Sequence, residues 1–557
     1  MTFITIGIIS LCLLENGLVS SSKFEYPPAH RNESVVDTYQ SRTGDVKIKD
    51  PYRWLECPVR SDTLEFVKTQ NKLFQEFVDS NPERSRIKEK VTLMNRYPKW
   101  DFPRKIGDWY YFTANDGSQE QSIYYKSKTW HRDNPEVVFD PNKLSKGDDV
   151  ITIGVNSYNK DASILAYVAL RNGLDSPKLI FPSLKSGSLE PLLNQKIMYH
   201  RLGTKQSEDI LIAELPEEPE ARIGSPMSYL NEGKTLVITK VGNGEAYAQN
   251  SLFTADIPSN ITGKLKLEPF IPYMNAEFSI ISVQNSSILV KTDRNAPNWK
   301  LVRIYLDNPE ESNWETVIEE DPKMVLTWDK LIHAYLDDCL HWIRIRNLTD
   351  GEILVDRLPL ERTNVNSFSS PEPDIFLFKV ENATNPHTIY MLNFTKGLTN
   401  IELYSHFKLP NYEVDNTVWK EVFYTSYDGT KIHMFIVHKK NLKLDGSSFA
   451  LVWGYGAFGT NIMPIYQPYR ATLVENFNAV IALPNLRGGG EFGKKWNHLG
   501  QFANKQNSID DFIAAAEYLI KHGYTSSQKV WAEGRSAGGL LIGAIINQTI
   551  LHLACRQ

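Results

Sequence analysis

A β-propeller followed by an α/β domain is the architecture this sequence predicts, and three observations carry it. Between residues 92 and 408 short aromatic and β-branched runs recur, with turn-rich pieces between them and no long helical stretch. That texture belongs to many short strands, and more than 300 residues of it suit stacked blades better than one sandwich. After 409, continuous apolar strands alternate with helices, the layer pattern of a sheet buried on both faces. Near the end, "KVWAEGRSAGGLLIGAII" (529–546) reads as a strand, a Gly-Arg-Ser-Ala-Gly turn and a helix opening on small residues.

In chain order, the first element is "FITIGIISLCLL" at 3–14, an uncharged apolar run followed by small residues. It is too short to span a bilayer and fits the core of a signal peptide, although a charged n-region is missing. A cleaved leader over 1–22 is therefore expected, with an uncleaved one as the alternative. The secretory pathway is the expected localisation and the cytoplasm its rival. "SDTLEFVKTQNKLFQEFVDS" (61–80) is an amphipathic helix: Phe66, Leu73 and Phe77, with Val67, Phe74 and Val78, share a face. Ser61 or Asp62 is the expected cap.

The all-β region supplies "WYYF" at 109, "SIYY" at 122, "SILAYVAL" at 163, "TLVITK" at 235, "SILVKT" at 287 and "LVRIYL" at 301. Beyond it, "EVFYTSYDGTKIHMFIVHKK" predicts two strands around an Asp428-Gly429 turn. "FALVWGY" and "AVIALPN" are buried strands. "SIDDFIAAAEYLIKHG" is a helix begun by Ser508 and closed by Gly523. The expected divisions are 23–91, 92–408 and 409–557.

Composition narrows the function. The 557 residues are 41% apolar and 23% charged with a net charge of −5, so the chain offers no basic field for nucleic acid or an acidic membrane. Beyond the leader no stable membrane span is read. Cys12 lies in the leader, and Cys57, Cys339 and Cys555 stand far apart, so three unpaired buried thiols are expected rather than a disulfide framework. No CxxC or HExxH spacing occurs, and neither a metal site nor a cofactor is expected. Asn-x-Ser/Thr triplets at Asn32, Asn260, Asn285, Asn347, Asn382, Asn393 and Asn547 are compatible with glycosylation.

Chemistry concentrates in the Gly534-Arg535-Ser536-Ala537-Gly538 turn, a G-x-S-x-G pattern. Between a strand and a helix this pattern makes an elbow that lifts the serine Oγ out at the C-terminal sheet edge. The Ala537 N–H then faces a developing oxyanion near the positive end of the helix. An inert serine in a glycine-rich connection is the competing reading. "WGYGAFG" (453–459) follows a buried strand, where an α/β-hydrolase places its second oxyanion donor. Tyr455 suits that role through its O–H, or packs at the sheet edge. "LRGGGEFG" (486–493) lacks the Lys-Ser/Thr of a phosphate loop and the spacing of a dinucleotide fingerprint. It is expected as a loop held close to the active face.

Several further segments sharpen the picture: "DPYRWLE", "SEDILIAELPEEP", "DGTKIHMFIVHKKNLKLDG", "WGYGAF", "NLRGGGEFGKKW", "ANKQNSIDDF" and "AAEYLIKHGYTS". With these the chain resembles the prolyl oligopeptidase family of serine peptidases over most of residues 25–547. The resemblance implies an α/β-hydrolase domain, built from an N-terminal segment and a C-terminal portion, capped by a seven-bladed propeller. The helix at 61–80 would then pack on the C-terminal sheet. Short proline-containing peptides are the implied substrates, cleaved after proline, while the propeller keeps folded proteins out. Ser536 resembles the nucleophile, the Ala537 N–H and Tyr455 O–H the oxyanion hole, and Phe458 an aromatic wall of the proline pocket. No metal or organic cofactor is implied, and the oligomeric state is not read. The elbow "GRSAGGLLIGA" is more like that of oligopeptidase B, which cuts after Lys or Arg, and a non-catalytic peptide- or protein-binding fragment is a further alternative.

Two departures from the family pattern shape the expectations. Between "LRNGLDSPKLIF" and "YHRLGTKQSEDI" only "PSLKSGSLEPLLNQKIM" intervenes, so one blade is expected to be curtailed, and whether the ring closes is left open. After "INQ" the match stops, and the Asp and His that follow the serine in this family are absent from this chain. His552, the one histidine after Ser536, lies beyond the helix that leads away from the active edge and is not expected to act as the base. Asp510 and Asp511 are expected as helix-start charges. On this reading the chain is C-terminally truncated and inactive, or unstable, since losing triad members removes about 10⁴–10⁶ in rate.

Overall fold

The computed structural model describes residues 27–549, apart from 42–43, 58–59, 145–150, 159–164, 172–195, 200–207, 209, 219–221, 232–234, 242–248, 257, 259, 273–274, 285, 330–331, 348–349, 361–362, 408 and 410–415. The leader, Cys12, Asn285, His552 and Cys555 lie outside the described residues.

Within its sheets the all-β region pairs antiparallel throughout, mostly between strands adjacent in sequence. Four consecutive four-stranded sheets begin at Arg222–Asn231, Phe278–Gln284, Val325–Asp329 and Asn364–Glu372 and end at Glu268–Ile271, Glu315–Ile318, Ile353–Val355 and Ile401–His406. A first sheet of five strands spans Lys99–Trp100 to Glu136–Phe139. Between it and the four stand two hairpins, Ile151–Tyr158 with Leu165–Arg171 and Lys196–Tyr199 with Ile210–Glu214. The expected curtailment falls on 172–195, outside the described residues.

At the seam where a ring would close, the last sheet packs on the first. Trp100, Leu377 and Ile389 are buried together with Trp130 and Tyr404 against them. Lys105 Nζ reaches Glu372 at 2.9 Å, and the Arg132 guanidinium lies 3.3 Å from the Trp100 ring centroid. Apolar burial and the Lys105–Glu372 pair hold the first and last sheets together, while within the first the Arg132 cation stacks on the Trp100 indole.

The α/β sheet runs in the spatial order Thr417–Thr425, Lys431–Lys439, Val480–Pro484, Ala450–Trp453, Val530–Glu533. The first two strands form the hairpin predicted around Asp428-Gly429, and the last three are parallel. Side chains alternate across the sheet. Ile432, Met434 and Ile436 pack on one face with helices Lys505–Lys521 and Ala537–Thr549. Phe435 and Val437 pack on the other with helix Pro468–Phe477.

The N-terminal segment departs from expectation in three ways. The helix Ser61–Ser80 forms, but Val67 and Phe74 are exposed, and only Phe66, Leu73, Phe77 and Val78 are partly covered. Its N-cap is Arg60 without a side-chain bond, while Asp62 pairs with Arg60. Contact with the α/β domain comes instead from a second helix, Arg84–Asn95. There Met94 is buried with Tyr466 and Ala471, and Tyr466 Oη donates to the Met94 carbonyl at 3.1 Å. The polar pattern of "RSRIKEKVTLMN" hides this helix from periodicity.

Two further contacts join the propeller to the α/β domain. Lys494 Nζ pairs with Glu277 at 2.9 Å and Asp293 at 3.4 Å, and its N–H donates to the Pro297 carbonyl. A tight turn holds Asp338 and Cys339 at positive φ, and Cys339 and Leu340 are buried among sheet residues Phe435, Leu451 and Leu483. Cys339 is buried as expected, whereas Cys57 is only half-buried.

Candidate active site

Two residues, Gly534 and Arg535, separate the end of strand Val530–Glu533 from Ser536, and the helix Ala537–Thr549 begins immediately after it. To turn so sharply, Ser536 adopts a φ of +57°, a left-handed conformation that costs a non-glycine residue roughly 1–3 kcal/mol and persists only where its surroundings over-determine it. Two glycines do so. A Cβ on Gly534 would stand 2.2 Å from the Gly538 carbonyl oxygen, and one on Gly538 would stand 2.4 Å from the Gly454 carbonyl oxygen. The elbow is thereby pressed on itself and on the neighbouring strand end, which a side chain at either position would prevent.

The same contact brings the tyrosine loop to the elbow. Gly454 N–H donates to the Glu533 carbonyl at 2.9 Å, and the Cβ direction of Gly538 points to within 3.6 Å of Tyr455 Cα. Tyr455 is partly buried and stacks nearly parallel on Trp453, with centroids 6.5 Å apart. Among the described residues its hydroxyl makes no hydrogen bond, and neither does Ser536 Oγ. At the helix start, Gly538 N–H donates to the Arg535 carbonyl and Gly539 N–H to the Ser536 carbonyl, while the Ala537 N–H meets no acceptor. An exposed hydroxyl, a free phenol and a free amide donor therefore gather at one sheet edge, as an acyl-transfer site requires. Phe458 sits in the same loop at a φ of +55° with 55% of its surface exposed, so its ring is available to a ligand.

The loop 486–493 lies against the tyrosine loop, as expected from its glycines: Gly459 N–H donates to the Gly488 carbonyl at 3.1 Å. Its anchor was not legible in the sequence. Arg487 is buried and forks onto Asp511, with Nη2 to Oδ1 at 2.6 Å and Nε to Oδ2 at 3.0 Å. Asp511, fully buried, also accepts from the Arg487 N–H and from Ser426 Oγ. This corrects the helix-start role expected of Asp511. The helix begins at Lys505, so both aspartates sit in its second turn, where Asp510 accepts from Gln506. Ser508, expected as the start, is instead buried inside the helix and donates to the Arg487 carbonyl at 2.6 Å. Glu491 is a second buried carboxyl. Burial pushes it above the usual carboxylate range, and Ile462 N–H and Asn485 Nδ2 donate to it. No motif spacing signals these partners, because they meet across the fold.

Of the glycosylation triplets, Asn32, Asn260 and Asn547 are exposed, and Asn347, Asn382 and Asn393 are partly buried, with Asn382 and Asn393 accepting from their own turns. Among the described residues no group of three His, Cys, Asp or Glu is placed to hold a metal, and no helix is long and apolar enough to cross a membrane.

Comparison with known proteins gives one answer throughout. The family model for the prolyl oligopeptidase N-terminal beta-propeller domain matches residues 27–192 and 185–402, and that for the prolyl oligopeptidase family matches 466–552. A prolyl endopeptidase of Elizabethkingia meningoseptica is 31% identical over 94% of this chain and 77% of its own length. A dual function macrocyclase-peptidase of Amanita bisporigera is 30% identical over 94% and 79%. Among solved structures, prolyl oligopeptidase B of Galerina marginata bound to a 35mer hydrolysis and macrocyclization substrate superposes with a TM-score of 0.83. It is 27% identical over 94% of this chain and 80% of that one.

Proposed function

This chain belongs to the prolyl oligopeptidase family of serine peptidases, and from that premise we propose that it acts on short peptides, cleaving after proline through an acyl-enzyme on Ser536. The strained backbone of Ser536 carries the proposal: a serine held at positive φ between a strand and a helix serves exposure of its hydroxyl and little else. In the proposed reaction Ser536 Oγ attacks the carbonyl after proline, and the Ala537 N–H and Tyr455 O–H receive the oxyanion. Phe458 packs on the proline ring, and water then releases the acyl group. The base that takes the serine proton would come from outside the described residues.

Assayed by itself, the 557-residue polypeptide is expected to turn over proline-containing fluorogenic peptides slower by about 10⁴–10⁶ than an enzyme with a complete triad. Turnover at an ordinary rate, abolished by Ser536→Ala, would overturn that expectation. A serine-directed phosphonate tests the nucleophile: adduct on a different serine removes Ser536 from the role. Peptides ending their acyl part in Lys or Arg test the specificity, since a preference for them favours the oligopeptidase B alternative.

The lack of any partner for Ser536 Oγ among the described residues favours a second reading, a binder that holds peptides without cutting them. Peptide binding with no phosphonate adduct would support it.

A further inference from the structure

A cavity of about 510 Å³ opens between the two domains beside the tyrosine loop. His341 and Asn366 line it from the propeller, and Trp453, Met463, Gln467 and Arg470 from the α/β domain. Arg470 is the one charged side chain in this lining. Its guanidinium lies 5.1 Å from the Trp453 ring centroid, and its Nε donates to Tyr469 Oη at 2.9 Å. Among the described residues no hydrogen bond or ion pair engages its two Nη groups.

Two carboxylates stand behind the lining, and each has other partners. Glu533 accepts from Tyr469 Oη at 3.0 Å, and Glu381 accepts from Asn366 Nδ2 at 2.6 Å. His341 adds no positive charge: burial lowers its pKa to about 4, and its Nδ1 accepts the Val365 N–H. The cavity thus presents one cation, fixed by a stack and a hydrogen bond between apolar and amide walls, which reaches the Glu533 carboxylate only through the Tyr469 hydroxyl and keeps its two Nη groups for a ligand. Such a setting focuses the field of the charge, and the planar fork of arginine matches a carboxylate.

We infer that Arg470 forms a carboxylate-binding subsite, which selects peptides bearing a negative charge a few residues from the bond presented to Ser536. The inference rests on the peptidase reading and names a specificity determinant within it. Trp453 connects the two places, since both the Arg470 guanidinium and the Tyr455 ring lie against its indole, at 5.1 and 6.5 Å from it. An extended peptide advances about 3.4 Å per residue, so a carboxylate about three residues from a carbonyl at Tyr455 comes within reach. A C-terminal carboxylate and a glutamate side chain offer the same chemistry.

Binding measures this without turnover. The Ser536→Ala chain is titrated with three versions of one proline-containing peptide labelled at its N-terminus: a free acid, its C-terminal amide, and an amide with glutamate at the last position. The acid is expected to bind about tenfold tighter than the amide at low ionic strength, with the advantage shrinking as salt rises. If the glutamate amide matches the acid, any carboxylate serves; if it matches the plain amide, the site reads the terminus. Arg470→Gln should erase the difference and leave the plain amide's affinity unchanged, and Arg470→Lys should keep only part of it. Equal binding of acid and amide by the unsubstituted Arg470 chain overturns the subsite and leaves the peptidase reading standing. So does discrimination that survives Arg470→Gln. Failure of all three peptides to bind sinks both.

Discussion

Two helices cover the same face of the α/β sheet, and they are finished differently. Lys505–Lys521 is amphipathic and buries Ile509, Phe512, Ile513 and Leu519, with Asp511 locked beneath it on Arg487. Ala537–Thr549 is the more apolar of the two, a sequence hydrophobic nearly all round, which ordinarily marks a fully buried helix. Yet only Leu541 and Ile545 are buried in the core, with Ile542 and Ala544 partly buried against it, while Leu540 keeps 62% and Ile546 37% of their surface exposed. Apolar content therefore does not predict burial here; position in the sheet does. One helix spans the sheet from strand Thr417–Thr425 to the central strands, and the other follows Val530–Glu533, the outermost strand on its side among the described residues. The first helix holds the fold together, and the second presents the serine.

The sharpest way to break this contrast is to remove the charge under the first helix. Asp511→Ala leaves the buried Arg487 with only the half-exposed Asp428 as a carboxylate partner and is expected to cost about 3 kcal/mol, read from urea denaturation. A cost near zero would mean that the loop 486–493 is not anchored by this pair.

At the elbow, Gly538→Ala drives a methyl group against the Gly454 carbonyl. Its expected cost is smaller, about 1–3 kcal/mol, but any phosphonate labelling of Ser536 should fall with it, because the elbow is pushed off the tyrosine loop.

Acid probes the outer end of the same network. Arg487 holds the Asp428 carboxyl down at about 2. A depressed carboxylate stabilises fully above its unfolded value near 4, and that contribution is lost as pH falls through about 2. Asp428 is half-exposed, so the pair is worth less than about 1 kcal/mol. Asp428→Asn should flatten the decline in melting temperature between pH 4 and pH 2; an unchanged decline would assign the acid sensitivity elsewhere.

The smallest effect belongs to the exposed helix face. Leu540→Ala should change stability by no more than about 0.5 kcal/mol, whereas the same change at Leu519, which is fully buried, should cost about 2–5 kcal/mol. Similar values at the two positions would show that the elbow helix is covered in solution.

Much of this was legible from local rules. Alternation and β-branching located the strands at 109–115, 235–241, 287–292 and 300–305, and the Asp428-Gly429 turn located its hairpin. The glycines around Ser536 announced the elbow, since its steric demands act over a few residues. Helix ends were less legible. Ser508 has the side chain of a cap, but the helix runs three residues further back, and the hydroxyl serves the Arg487 carbonyl instead. The helix 84–95 escaped notice because its stability comes from docking on helix 468–477 rather than from its own pattern.

By itself the sequence determined the element types, the order of the two domains and the serine turn, because each follows from sterics and hydrophobic period within a few residues. Tertiary structure alone decided that Asp511 meets Arg487, that the last sheet packs on the first, and that Arg470 faces an interdomain cavity with no carboxylate directly on it. Those outcomes depend on burial and charge pairing between residues far apart in the chain, where no local spacing records which groups will meet.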